Sequence, residues 1–265
     1  MQKTKEKILF SGLIDNDVDL LSLVEDETLP DDSEFIEKIH LVPLRNSVFF
    51  PNVVTPIFMG REASIKVIKK KYKEDKFIGV VTQKDATVEN PKEKDIYKYG
   101  TLAKIIKIIE MPDGTQSAII QGLKAFKIRE VETEKSFLVA KIDLIEEKRP
   151  KKNDKEFEAV LSNIKDSANS LIEIHPGIGD EAIFSIKNIE EPLTLINFIC
   201  SNVDFSVQKK QKLLRISDVK KRALELLSEL ADEIQKMQLR GDISYKVQKN
   251  LNKNQKEFIL QQKIK

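Results

Sequence analysis

The residues best suited to nucleophilic or general-base chemistry in this sequence are two histidines, His40 and His175, and one cysteine, Cys200. They are far apart in the chain, and neither histidine lies in an H-E-x-x-H frame. A single thiol cannot build the thiolate type of zinc site, which needs several cysteines at fixed spacing. None of the nine glycines is followed by lysine, so the phosphate-cradling loop G-x-x-x-x-G-K-[ST] is absent. There is no G-x-S-x-G nucleophile elbow either. His175, beside Pro176 and Gly177, reads as a helix terminator, and Cys200, after LTLINFI, reads as a small core residue on an apolar helical face. The many carboxylates lie in solvated charge runs that single out no catalytic pair. The expectation is a chain without catalytic, metal or cofactor sites, which by itself turns over no ATP and cleaves no peptide.

Composition narrows the alternatives. Hydrophobic residues make up 40% and charged residues 33%, and no apolar run approaches the ~20 residues that a bilayer span requires. One cysteine rules out an internal disulfide and fits a reducing compartment. The start of the chain, KTKEK followed by ILF, is too short for the apolar core of a secretory signal, so a cytoplasmic protein with no membrane partner is expected. Charge is uneven although the formal net is +2. Residues 1–38 hold 11 Asp/Glu against 4 Lys, a balance of −7, whereas residues 206–265 hold 15 Lys/Arg against 7 Asp/Glu, a balance of +8. The acidic head has little contiguous apolar surface and is expected to be mostly disordered, with LLSLV long enough for a short docking helix.

Between Ile39 and Glu147 the pattern is of strands, expected at 39–44, 53–58, 77–82, 101–110, 115–121, 125–132 and 137–145. One helix interrupts them, because REASIKVIKKKYKED places Ala63, Ile65, Ile68 and Tyr72 near one face with lysines opposite. Pro-Asp-Gly within MPDGTQ, between two apolar runs, signals a hairpin. KRPKKND at 148–154 is a polar linker, and Asn153 or Asp154 caps a helix running to about Glu173. HPGIGD at 175–180 breaks the helices, Pro192 opens another in its first turn, and SVQKKQKLLR forms a further short one.

From Ser217 a long helix is expected to Lys265, with Val219, Ala223, Leu226, Leu230, Ile234 and Met237 on one stripe and a bend or weak point near Gly241. The implied organisation is an acidic tail over 1–38, a β-rich domain over 39–147, a helical subdomain over 148–216 and a long helix over 217–265.

The stretch PLRNSVFFPNVVTPIFMGRE, carrying Pro43, Leu44, Arg45, Phe50, Pro51, Pro56, Gly60 and Arg61, resembles the opening signature of the N-terminal region of Lon, the ATP-dependent protease family. The resemblance continues through YGTLAKIIKIIEMPDGTQSAIIQGLKAFKI, SVQKKQKLLRISDVKKRALELL and KVQKNLNKNQKEFILQQKIK, in the family's order, from about Ile39 to the last residue. Two departures stand out. The family commonly has arginine where this chain has Ala125, and most of the acidic head before Glu37 has no recognised counterpart.

The resemblance implies an α+β fold: a PUA-like β pseudobarrel followed by an all-α helical bundle ending in a long helix. It also implies a role in capturing unfolded or misfolded polypeptides and in supporting a homohexamer. The family's AAA+ module, with its ATP and Mg, and its serine-lysine protease domain are expected beyond Lys265, which makes this chain an N-terminal fragment. A PUA-like barrel with a basic C-terminal segment also admits a second class of function, weak DNA or RNA binding, and the long helix a third, coiled-coil scaffolding. Pro43, Pro51 and Pro56 are expected to delimit short strands around a turn at Arg45 and Asn46. Phe49, Phe50 and Met59 are the candidate substrate contacts, since turns expose apolar groups; for Phe50 core packing is the favoured alternative. Val247, Leu251 and Phe258 are the candidate contacts with other protomers or with a passing substrate.

Overall fold

The computed structural model describes residues 38–110, 115–134, 137–174 and 186–263; in the last helix, side chains are described through Gly241 and at Ile243 and Lys246. The acidic head, most of the MPDGTQ turn, His175 and the HPGIGD break lie outside the described residues.

Six strands, β1 (Ile39–Leu44), β2 (Val54–Phe58), β3 (Phe77–Gln83), β4 (Ile96–Glu110), β5 (Gln116–Glu134) and β6 (Phe137–Leu144), form one sheet. Its order is β2-β5-β4-β3-β1-β6, and an added β5–β6 pairing closes β1, β3, β4, β5 and β6 into a ring. β1 and β3 run parallel, and the other pairs are antiparallel. The parallel pair requires a crossover, supplied by β2 and helix α1 (Glu62–Lys73). Val67 and Ile68 of α1 are buried against the ring, and Ile65 and Tyr72 pack beside them.

Closure depends on the length of β5. One edge of this strand pairs with β2 over Ser117 to Gln121 and then with β6 over Phe126 to Glu134. Two separate strands, 115–121 and 125–132, were expected with Gly122 near their junction. Instead Gly122 stays in the strand, where its N–H donates to the Val53 carbonyl and its carbonyl accepts from Asn52 N–H, both at 2.9 Å. A Cβ on Gly122 would stand 2.3 Å from the Phe50 carbonyl oxygen, so glycine serves a close backbone approach and not a turn.

The prolines also differ from expectation. Only Pro51 lies in a turn, followed by Asn52 at φ 59°; Pro43 and Pro56 lie inside β1 and β2. The Met59 N–H donates to Gln116, and Gly122 donates to Val53, which puts the odd-numbered residues of β2 in hydrogen-bonded pairs with β5. Pro56, opposite Ile119, therefore turns its donorless nitrogen to the outer edge of the sheet. β6 reaches only Ile39 and His40 of β1, which leaves Pro43 an unpaired edge.

The helical part comprises α2 (Lys155–Ile174), α3 (Pro192–Asn202), α4 (Val207–Arg215) and α5 (Val219–Lys263). Asp154 caps α2 by accepting from Phe157 N–H, and Pro192 opens α3 behind a Glu191 cap. The buried face of α2, Phe157, Val160, Ile164, Ala168 and Leu171, meets Val219, Ala223, Leu226 and Leu230 of α5, while Ile234 and Met237 pack at the margin. α5 is 45 residues long and helical through Gly241, so its length is about 68 Å at 1.5 Å per residue. The same apolar core takes in Val48, Phe50, Val53 and Ala125, so ring and helices are packed as one body at this junction.

Candidate functional site

Of the groups that suggested chemistry, Cys200 and His40 lie among the described residues. Cys200 is completely buried, and loss of water pushes its thiol up to about 12, which keeps it protonated and inert. His40 is half-buried in β1, with Nδ1 lacking a hydrogen-bond partner and the ring tilted on Phe137 at 6.3 Å. Desolvation, followed by Lys71 and Lys70, lowers its pKa, so the ring is neutral near neutral pH. Among the described residues no cluster of His, Cys, Asp and Glu is arranged to hold a metal.

The PLRNSVFFPNVVTPIFMGRE stretch has a structural explanation. Arg61 reaches back across the sheet end, donating from Nη1 to the Pro43 carbonyl at 3.0 Å and from Nη2 to Gln83 Oε1. Gln83 in turn donates to the carbonyls of Asp85 and Val88. One guanidinium thus ties the ends of β1 and β3 to the start of α1, and burial, with Arg45 nearby, lowers its pKa.

Phe49, Phe50 and Met59 are buried, which corrects the expected substrate contacts at Phe49 and Met59, while Phe50 takes the core position favoured for it. Phe49 and Met59 pack with Ile57, Ile68 and Ile105 in the core between α1 and the sheet, whereas Phe50 points the other way into the core shared with the helices. The segment after Asn46 enters the seam between ring and bundle, where alternate side chains reach opposite cores. Thr101 Oγ1 fixes it by donating to the Phe49 carbonyl at 2.5 Å, and Thr82 Oγ1 donates to the Ser47 carbonyl at 2.8 Å. Gln211 of α4 then donates to Thr82 at 3.1 Å, which joins bundle to ring by a buried polar contact.

A second arginine holds the other side of this junction. Arg222, fully buried in the first turn of α5, donates from Nε and Nη2 to the Ile216 carbonyl at 2.9 and 2.7 Å and from Nη1 to Asn197 Oδ1 at 2.9 Å. Nη1 also lies 2.9 Å from Glu147 Oε1, an ionic contact, since that oxygen is not aligned to accept a hydrogen bond. Beside it, Lys148 exchanges backbone hydrogen bonds with Ser217 and Val219. Sequence reasoning missed Arg222. The available signal was its position three residues after Val219 and four before Leu226, which sets a charge within the apolar stripe.

With those apolar side chains buried, few large ones are exposed among the described residues. Phe58, at the end of the edge strand β2, is 56% exposed, Ile174 is exposed at the end of α2, and Leu224, Leu239 and Ile243 are exposed along α5. Leu239 and Ile243 are four residues apart on one helical face. Val247, Leu251 and Phe258 continue in α5, but their side chains lie outside those described.

Comparison with known proteins identifies the combination of closed ring, bundle and long helix. The family described as the ATP-dependent protease La (LON) substrate-binding domain matches residues 38–232. The Lon protease of Flavobacterium johnsoniae is 43% identical over 95% of this chain, and that of Parabacteroides distasonis is 40% identical over 92%. These matches cover 31% and 30% of the two relatives, so the chain spans about a third of their length. Among solved structures, the N-terminal domain of a Mycobacterium avium complex Lon protease shares the fold with a TM-score of 0.59 at 17% identity, covering 74% of this chain and 98% of that one. A Lon N-terminal domain protein from Xanthomonas campestris gives 0.53 at 15% identity, covering 73% and 98%. The chain belongs to the Lon substrate-binding domain family.

Proposed function

We propose that this chain is the non-catalytic region through which an ATP-dependent serine protease of the cytoplasm engages misfolded and regulatory protein substrates and supports its hexameric assembly. ATP, magnesium and peptide-bond hydrolysis belong, on this reading, to the part of the relatives' length that the chain does not match. The observation that carries the proposal is the exposure of Phe58 on the edge strand of an otherwise packed sheet that is joined to the base of a long helix. An aromatic side chain in water at the rim of a sheet gives unfolded chains an apolar contact with little sequence demand. Leu239 and Ile243 extend the same chemistry along α5.

The test is a fluorescence anisotropy titration with a labelled, permanently unfolded polypeptide. Phe58→Ser weakens its binding while the circular dichroism spectrum stays unchanged; unaltered binding removes Phe58 from the contact. For assembly, Val247, Leu251 and Phe258 are the proposed contacts with neighbouring protomers. Hydrogen exchange there slows only in the assembled hexamer, and strong protection in a monomer contradicts the assignment.

A further inference from the structure

A groove of about 240 Å³ opens on the ring at the start of β4, away from Phe58. Its apolar part is formed by Ile96, Ile128 and Val131, of which the two isoleucines are buried. The rim is basic, since Lys84, Lys94, Lys98 and Arg129 line it against a single carboxylate, Glu93. Arg129 is paired with Asp143, and the Lys84 ammonium donates to the Lys94 carbonyl at 2.7 Å. Lys94 and Lys98 are exposed and have no carboxylate partner among the described residues. This space admits an aliphatic side chain but not a helix 10–12 Å across.

We infer that this groove docks the chain's own acidic amino-terminal segment, with the apolar residues of LLSLV in the groove and the flanking carboxylates on the lysine rim. Two observations choose this occupant. The first is complementarity: Leu20, Leu21, Leu23 and Val24 lie between Asp15, Asp17 and Asp19 on one side and Glu25, Asp26 and Glu27 on the other. The second is position. The segment joins the ring at β1, where Ile39 pairs with Ala140, and Ala140 pairs with Val131 of the groove. Two strand spacings, about 10 Å, separate the point of entry from the groove. The fourteen residues between Val24 and Ile39 reach far beyond that, since they extend to at most about 50 Å. A tether of this length keeps the segment at high effective concentration, so a weak contact suffices to hold it. The docked segment covers the basic rim and withdraws it from other anionic chains.

Paramagnetic relaxation on the full chain tests this. A nitroxide at Ser22→Cys labels one site, because the Cys200 thiol is buried and protonated. The expected result is loss of signal from Ile96, Ile128 and Val131 while Ile57 of β2, on the sheet face covered by α1, is spared. High salt, or Lys94→Glu with Lys98→Glu, restores the lost signals, since those exposed lysines hold nothing else in place. Unchanged groove signals, or equal loss over the whole ring, overturn the inference. So does equal loss when a nitroxide-bearing chain is mixed with an isotopically labelled chain lacking the nitroxide, since the occupant would then come from a second copy.

Discussion

Arg222 places its guanidinium 2.9 Å from the Glu147 carboxylate, joining the residue that leaves the ring to the first turn of the long helix. The arginine is entirely buried and the glutamate partly so, and the other donors of Arg222 are spent on Ile216 and Asn197. The guanidinium thus meets an anion, an amide oxygen and a carbonyl where α5 begins.

Replacing Arg222 with methionine keeps much of the volume but leaves the Glu147 carboxylate without its counter-ion and Asn197 and the Ile216 carbonyl without their donor. A loss of about 3 kcal/mol is expected, the low end for breaking a buried ion pair, because Glu147 retains some access to water. Urea unfolding reads it directly. Glu147→Gln is expected to cost less, because Arg222 keeps its other acceptors.

Two glycines respond to alanine in opposite directions. At Gly122 the new methyl meets the Phe50 carbonyl and the Pro51 backbone, and forcing them apart is expected to cost about 1–3 kcal/mol. Around Gly241 a Cβ meets nothing within 4 Å in a helical backbone, so alanine there is expected to add up to about 1 kcal/mol of helix stability. Melting of the two variants should move below and above the parent respectively.

His40 gives the ring a pH dependence of defined sign. Its folded-state pKa lies below the ordinary 6.5, so between those values the unfolded chain binds a proton that the folded chain refuses. The stability contribution is complete above pH 6.5 and is lost as pH falls toward the lowered value. His40→Asn is expected to flatten the decline in stability between about pH 7 and about pH 5, relative to the parent. His175 is present in both proteins and cancels from the difference.

Regular alternation and punctuation made most elements readable. β1 occupies the expected 39–44, and α1, α2 and the start of α5 lie within two residues of their expected limits. The expected gap between 115–121 and 125–132 misled because a glycine placed for close approach, Gly122, resembles in sequence a glycine that ends a strand. Phe49 and Met59 misled for a related reason: the loop between β1 and β2 crosses a seam between two cores, and sequence alone does not show what packs over a loop. Arg222 was hidden by the rule that arginine on a helix faces water, which fails where a carboxylate, an amide and a helix-preceding carbonyl converge.

The account rests on Phe58 as the sheet's contact with unfolded chains, and photo-crosslinking from that position tests it most directly. A benzophenone amino acid at Phe58, irradiated with a labelled model protein in unfolded and folded forms, is predicted to yield adducts with the unfolded form. The same group at Lys92, exposed before the turn that leads into β4, is predicted to yield few. Equal adducts from both positions, or none from Phe58, would contradict the account.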